Sequence, residues 1–347
     1  MKLPALLQIS IILFAIVFIS SCSKKGSNDV KPQLLTVTTI AGDGKSGSAD
    51  GKGNAASFSS VWGIKFDHLG NLYVTDGRIL RKISADGTVS FVAGSNISPP
   101  TNPDGKGSAA YFDFPKSIAV DPSNNIYVAD YNMVRKVTPD GTVTTVPGSI
   151  SPGGLICQYA GIVLDAAGNI YASDVEQSVI VKISTDGTAV IFAGNGAGAG
   201  SSVDGKGTAA SFAEPTGLAM DASGNLFVVD AASDEIRKVT PDGTVTTIAG
   251  SGLNGAVDGK GSAASFYDPT GVVVDASGNL YIGDYGNYKI RKITPDGTVS
   301  TIAGSGVEGY ADGIGIKATF GGPEDLTLDA SGNLYVADYY NVRKITL

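Results

Sequence analysis

Gly332-Asn333-Leu334-Tyr335-Val336-Ala337-Asp338 is the last of six copies of one short pattern. The others end at Asp76, Asp130, Asp174, Asp230 and Asp284. Most copies lie about 54 residues apart, and the interval from Asp130 to Asp174 is about ten shorter. A recurrence of that period marks a repeat architecture, in which each unit buries apolar surface against its neighbours.

One unit reads clearly from Pro269. Thr270-Gly271-Val272-Val273-Val274-Asp275 is a β-branched run, Ala276-Ser277-Gly278-Asn279 a turn, and Leu280-Tyr281-Ile282-Gly283-Asp284 a second strand. Ile290-Arg291-Lys292-Ile293-Thr294 is a third strand. It is followed by Pro295-Asp296-Gly297, where Pro presets φ, Asp bonds the neighbouring backbone and Gly takes the left-handed position. Val299-Ser300-Thr301-Ile302-Ala303 is a fourth strand. The first two strands are near-continuously apolar, the pattern of strands covered on both faces. Four-stranded antiparallel sheets that need cover on both faces stack around an axis as the blades of a β-propeller.

The ends of the chain close the ring. The last copy supplies three strands and stops at Val342-Arg343-Lys344-Ile345-Thr346-Leu347. The first strand, Thr36-Val37-Thr38-Thr39-Ile40-Ala41-Gly42, matches the fourth strand of other copies, such as Thr244-Val245-Thr246-Thr247-Ile248-Ala249-Gly250. The amino-terminal strand is therefore expected to complete the carboxyl-terminal blade, removing two sheet edges. The fold expected is all-β, a six-bladed β-propeller over residues 34–347.

The series from Pro215 to Asp230, Pro-Thr-Gly-Leu-Ala-Met-Asp-Ala-Ser-Gly-Asn-Leu-Phe-Val-Val-Asp, followed by Ile236-Arg237-Lys238-Val239, resembles the NHL repeat. The resemblance spans Val37 to Leu347 and implies the same propeller. It does not choose a function, because NHL propellers serve as sensors, scaffolds, RNA binders and, in related forms, enzymes.

Residues 1–21 read as a secretory signal: Lys2 precedes an apolar run from Leu3 to Ile19. Ile19-Ser20-Ser21-Cys22 resembles a bacterial lipobox, which implies acylation at Cys22. Residues 22–33 read as a polar, lipidated tether. Ser23 after the cysteine implies the outer membrane and leaves the periplasmic or surface-facing leaflet open. With Cys22 lipidated only Cys157 remains, so no intramolecular disulfide forms and packing must stabilise the domain. The net charge of −8 and pI near 4.7 argue against nucleic acid as a partner.

In an up-and-down blade the tight Asp-x-x-Gly-Asn and Asp-Gly turns share one face. The second-to-third loops and the long crossovers share the other, which is the candidate binding face. Five crossovers repeat the segment seen at Asp50-Gly51-Lys52-Gly53-Asn54-Ala55-Ala56-Ser57-Phe58; the others start at Asp104, Asp204, Asp258 and Asp312. Two roles are open to these segments, turn-making and ligand contact. Ala-Ala-x-Phe suggests a helical turn with Phe58, Phe112, Phe212, Phe266 and Phe320 as apolar plugs. The pattern lacks the spacing of a phosphate-binding loop. Tyr131, Tyr285, Tyr288, Tyr339 and Tyr340 fall in second-to-third loops and, with Trp62, suit either carbohydrate stacking or rim packing. The six strand-ending aspartates, Asp76, Asp130, Asp174, Asp230, Asp284 and Asp338, are the candidate ligands for a hard cation such as Ca²⁺; their competing role is to accept hydrogen bonds from local loops. Recurring Arg81, Arg135, Arg237, Arg291 and Arg343 are expected to pair with carboxylates or cover strand surface.

The third copy departs from the others. Its crossover lacks the Asp-Gly-Lys-Gly segment, Val181 replaces the recurring arginine, and Cys157, Tyr159, Glu176 and Gln177 are special to it. Repeat drift accounts for these differences, as does a notch through which a partner reaches the central face. The one histidine, His68, sits in a turn, so a multi-histidine zinc site cannot be assembled within the chain, and a Ser-His-Asp triad would depend on that one turn residue. No cofactor is expected, and the plentiful Asp, Glu and Asn residues leave Ca²⁺ open. The resulting expectation is a lipid-anchored envelope module that binds a protein, peptide or glycan through its long-loop face. The alternative is a calcium-dependent, lactonase-like hydrolase or lyase on the same face.

Overall fold

The computed structural model describes residues 35–97, 99, 102–149, 158–196 and 202–347. The signal, the tether, Cys22 and Cys157 lie outside the described residues. Six antiparallel sheets follow one another along the chain. In the fifth blade the strands run Pro269–Val274, Leu280–Asp284, Lys289–Ile293 and Thr298–Ala303, from the inside outward. The inner strands of the six blades are Val61–Phe66, Pro115–Val120, Tyr159–Leu164, Pro215–Met220, Pro269–Val274 and Pro323–Leu328. Each touches the next, and the last touches the first, so they form a closed ring around an axis.

Closure follows the reading of the chain ends. Thr36–Ala41 pairs antiparallel with Asn341–Thr346, with Thr36 opposite Thr346 and Val37 opposite Ile345. The hydrophobic core is divided between adjacent blades. The cluster at the closure joins Ala41, Ala337 and Val342 of the last blade to Phe58, Val61, Ile64 and Val74 of the first. Each fully buried Val, Leu or Phe there contributes roughly 1.5–3 kcal/mol. Ring closure is thus held by side-chain burial as well as by strand hydrogen bonds.

The blades are not all four-stranded. In five of them the crossover first adds a two-residue strand at the outer edge, as where Gly259–Lys260 pairs with Val299 and Thr298. A 3₁₀ turn such as Gly261–Ala263 follows, and the plug phenylalanine is fully buried beneath it. The recurring Asp-Gly-Lys-Gly segments therefore run along the perimeter of the propeller, where Lys260 pairs with Asp296 of the Asp-Gly turn at 3.0 Å.

Under each crossover lies a buried arginine. Arg291 donates Nη1 to the Ser265 carbonyl at 3.0 Å and to Asp284 Oδ2 at 2.7 Å. Its Nη2 reaches the Val257 carbonyl at 2.9 Å and Asp258 Oδ1 at 2.8 Å. The guanidinium lies over the Phe266 ring at 5.1 Å. Arg81, Arg135, Arg237 and Arg343 repeat the arrangement with Asp76, Asp130, Asp230 and Asp338 and with crossover Asp50, Asp104, Asp204 and Asp312. The other oxygen of each strand-ending aspartate accepts backbone N–H groups of the segment leading into the inner strand, as Asp284 Oδ1 accepts the Tyr267 N–H.

The six strand-ending aspartates, the candidate cation ligands, each accept hydrogen bonds from their own blade. They stand in separate blades and five are bound to guanidinium groups, because a buried carboxylate needs a paired charge. Among the described residues no group of three or more His, Cys, Asp or Glu is placed to hold a metal.

Candidate functional site

The second and third residues of each inner strand border the axis at the mouth of the long-loop face. There they line a cavity of about 60 Å³ with Trp62, Lys116, Ser117, Thr216, Thr270, Glu324 and Asp325 on its wall. This is room for about two water molecules, or for the hydroxyl edge of a larger ligand.

Glycine at the third position in four blades (Gly63, Gly161, Gly217 and Gly271) lets the strands come this close. A Cβ on Gly217 would press on the Thr270 carbonyl oxygen, and one on Gly271 would stand 2.6 Å from that of Glu324. The sixth blade carries Asp325 at this position instead. Its Oδ2 accepts the Ile64 N–H of the first blade at 3.2 Å, and its Oδ1 accepts the Leu326 N–H at 2.8 Å. Asp325 therefore ties the last blade to the first at the axis.

The second position supplies the chemistry, and it differs in almost every blade: Trp62, Lys116, Ala160, Thr216, Thr270 and Glu324. Lys116 Nζ lies over both Trp62 (5.4 Å) and Phe114 (5.3 Å), whose rings are 5.6 Å apart. Glu324 is 9% exposed and borders the cavity. Among the described residues its carboxylate takes part in no hydrogen bond or ion pair. It is raised to about 8, chiefly by burial, with Lys116 opposing the rise and Asp268, Asp325 and Asp338 adding to it. At neutral pH it is mainly a neutral acid, able to donate as well as accept a hydrogen bond. Burial lowers the Lys116 amine, opposed by Glu324, Glu214 and Asp268. Deeper in, burial raises Asp325 to about 6, and Lys65 is lowered by burial against the pull of Asp325.

Several residues singled out in the sequence gather around this mouth. Tyr285 is raised to about 12, chiefly by burial, with Glu324, Tyr339, Asp268 and Tyr288 adding to the rise. Its ring lies against Gly322, where a Cβ would come within 2.7 Å of it. Tyr339 stacks edge-on against Tyr340 at 4.7 Å, and its carbonyl accepts the Val61 N–H. The Tyr131 carbonyl does the same for Tyr159. Glu176 is exposed and adds to the raised values of Glu214 and Asp174. The crossover aspartates Asp50, Asp104, Asp204, Asp258 and Asp312 are not in this group. They stand at the perimeter, half-exposed, against their arginines. His68 is exposed in its turn, with its backbone N–H on Asn124 Oδ1 at 2.9 Å.

Lys116, Glu324 and Asp325 were missed by the sequence reading, which followed the residues that recur. The signal for them is the reverse: a position that changes from copy to copy while its neighbours stay constant.

Tyr159 is buried and borders a cavity in blade three. Blade three does differ in its cover. Thirteen residues (146–158) separate its inner strand from the preceding outer strand, against nineteen (250–268) before the fifth blade. Its sheet has four strands among the described residues.

Comparison with known proteins agrees with this architecture. The model of the teneurin NHL domain matches residues 99–258, and that of the NHL repeat matches residues 266–293. Human Teneurin-4 is 25% identical over 276 residues, covering 74% of this chain. The chain spans only 8% of Teneurin-4. An auxiliary nutrient binding protein from Bacteroides thetaiotaomicron superposes with a TM-score of 0.69 at 19% identity, over 90% of this chain and 76% of that one. A gluconolactonase from Xanthomonas campestris superposes at 0.59 with 16% identity, over 90% and 89%. At these identities the solved structures establish the fold alone. With its sixfold repeat and closed ring, the chain belongs to the NHL-repeat β-propellers.

Proposed function

We propose that this propeller is a carbohydrate-binding module whose axial pocket holds one neutral sugar residue of a glycan. The carrying observation is the grouping at the axis of Trp62, the amine of Lys116 and the unpaired, nine-tenths-buried carboxyl of Glu324. An aromatic platform beside a few convergent polar groups is the usual composition of a small-ligand site. Sugar hydroxyls both donate and accept, so they match a neutral acid, an amine and the hydroxyls of Thr216 and Thr270 better than an ionic ligand does. The cavity admits only the hydroxyl edge, so the ring would rest in the mouth among Trp62, Phe114 and Tyr285. The nutrient-binding description of one structural neighbour supports a binding role.

The sequence around Cys22 extends the proposal to a lipid-anchored protein of the cell envelope. Metabolic labelling with an alkyne fatty acid tests that part: the label should be lost in Cys22→Ala, and retained label would refute it. A calcium-dependent hydrolase gains less support, because five of the six strand-ending carboxylates are committed to arginines.

The binding proposal is tested by screening the purified mature domain against neutral oligosaccharides (malto-, cello-, xylo- and laminari-hexaose). Binding that is lost in both Trp62→Ala and Glu324→Gln is expected. Binding that survives both would place the site elsewhere.

A further inference from the structure

Blade three keeps one half of a buried ion pair and lacks the other. Asp174 occupies the place of Asp76, Asp130, Asp230, Asp284 and Asp338, and is 2% exposed. Its Oδ1 accepts the backbone N–H groups of Gln158 and Gln177, both at 3.1 Å. The position that carries arginine in the other blades is Val181, opposite Ala172 in the sheet. No arginine of the chain is left to replace it. There are six in the sequence; five sit in the other blades, and the sixth, Arg78, donates Nε to the Asp113 carbonyl. Burial raises the Asp174 carboxyl with no guanidinium opposing it.

Space goes with the missing side chain. A cavity of about 420 Å³ is bordered by Tyr159, Asp174, Gln177, Val181, Val190 and Ile191. The outer strand Ala189–Ala193 forms one wall. At its start, where the other five blades are covered by a Gly-Lys or Gly-Ile strand, no partner strand is present among the described residues. Val190 and Ile191 are 51% and 54% exposed there. A sheet edge flanked by exposed apolar side chains is a template for strand addition. The occupant is specified by the molecule's own five examples, a guanidinium held between carboxylate and carbonyl oxygens.

We infer that blade three is a docking site for an extended, arginine-bearing segment of a partner protein, which adds to the Ala189–Ala193 edge and places its guanidinium on Asp174. The site is at the perimeter and independent of the axial pocket. A lysine has the charge but not the planar fork that serves several acceptors at once.

The test uses the mature chain and fluorescein-labelled pentapeptides acetyl-Thr-Val-X-Val-Thr-amide, with X arginine, lysine or citrulline, followed by anisotropy. Saturable binding of the arginine peptide is expected, with affinity lost by roughly ten-fold or more for citrulline, the size of a charged hydrogen bond. Competition by acetyl-arginine amide should be weaker than by unlabelled peptide. Val181→Arg should supply the missing group from within, raise the melting temperature and abolish peptide binding. Trp62→Ala should leave it unchanged, which separates this site from the axial one. No saturable binding of the arginine peptide, equal affinity for citrulline, or undiminished binding to Val181→Arg would overturn the inference. Equal competition by acetyl-arginine amide would overturn the strand-addition part.

Discussion

Replacing Arg291 with methionine tests the view that buried arginines, rather than a metal, hold the crossovers down. The methionine keeps most of the apolar stem and removes four hydrogen bonds at 2.7–3.0 Å. Asp258 is half-exposed and is re-solvated at little cost. Asp284 is fully buried and is left with the Tyr267 N–H and Asn287 Nδ2, both at 2.9 Å. Breaking such a pair from one side costs about 3–5 kcal/mol, since a buried charge is left without compensation. The Ser265 carbonyl loses its donor too, at about 1 kcal/mol. Urea unfolding followed by far-ultraviolet circular dichroism should show the midpoint falling at unchanged slope. Arg291→Met with Asp284→Asn should recover part of the loss, because the orphaned charge is gone. A loss below about 1 kcal/mol for the single variant, or a double variant worse than the single by the full cost of a second site, would refute the argument.

Other outcomes follow from the same geometry. Deleting residues 34–42 removes the outer strand of the last blade and its share of the closure core, and calorimetry should show a large fall in melting temperature; an unchanged value would refute the closure. Gly217→Ala presses a methyl group on the Thr270 carbonyl oxygen and should destabilise by about 1–3 kcal/mol in urea, as overpacking does. Glu324 gives a pH dependence of definite sign. Its folded value, about 8, lies above the usual 4.5, so the stability it contributes is full below 4.5 and is lost as pH rises through 8. Melting temperature should therefore fall from about pH 5 to pH 8 and level off above that, and Glu324→Gln should flatten that part of the curve.

The fold was legible because its signals are local and repeated. The Asp-x-x-Gly-Asn turn recurs because the aspartate binds its own turn: Asp275 Oδ1 accepts the N–H groups of Ser277 and Asn279, and its Oδ2 accepts Asn279 Nδ2. The match between the strand at Val37 and those ending at Ala249 and Ala303 carried the ring closure. The fifth strand was not legible, since two residues of Gly-Lys are too short for any strand pattern. The roles of the aspartates were legible only in part. Arg291 and Asp284 are seven residues apart, but Asp258 joins them from thirty-three away, and no local periodicity reports such a contact. The axial site was hidden for a related reason. Trp62, Lys116 and Glu324 come from three blades, 54 and 208 residues apart along the chain, and meet only when the ring closes.

Trp62 is the single tryptophan of the chain, so its fluorescence reports on the axial pocket and on nothing else. Titrating the mature domain with the oligosaccharide that binds in the screen, while recording tryptophan emission, is the most direct measurement. A saturable change in intensity or wavelength, with the same midpoint as binding measured by calorimetry and abolished in Glu324→Gln, is the predicted result. Calorimetric binding with no change in Trp62 emission would contradict the account.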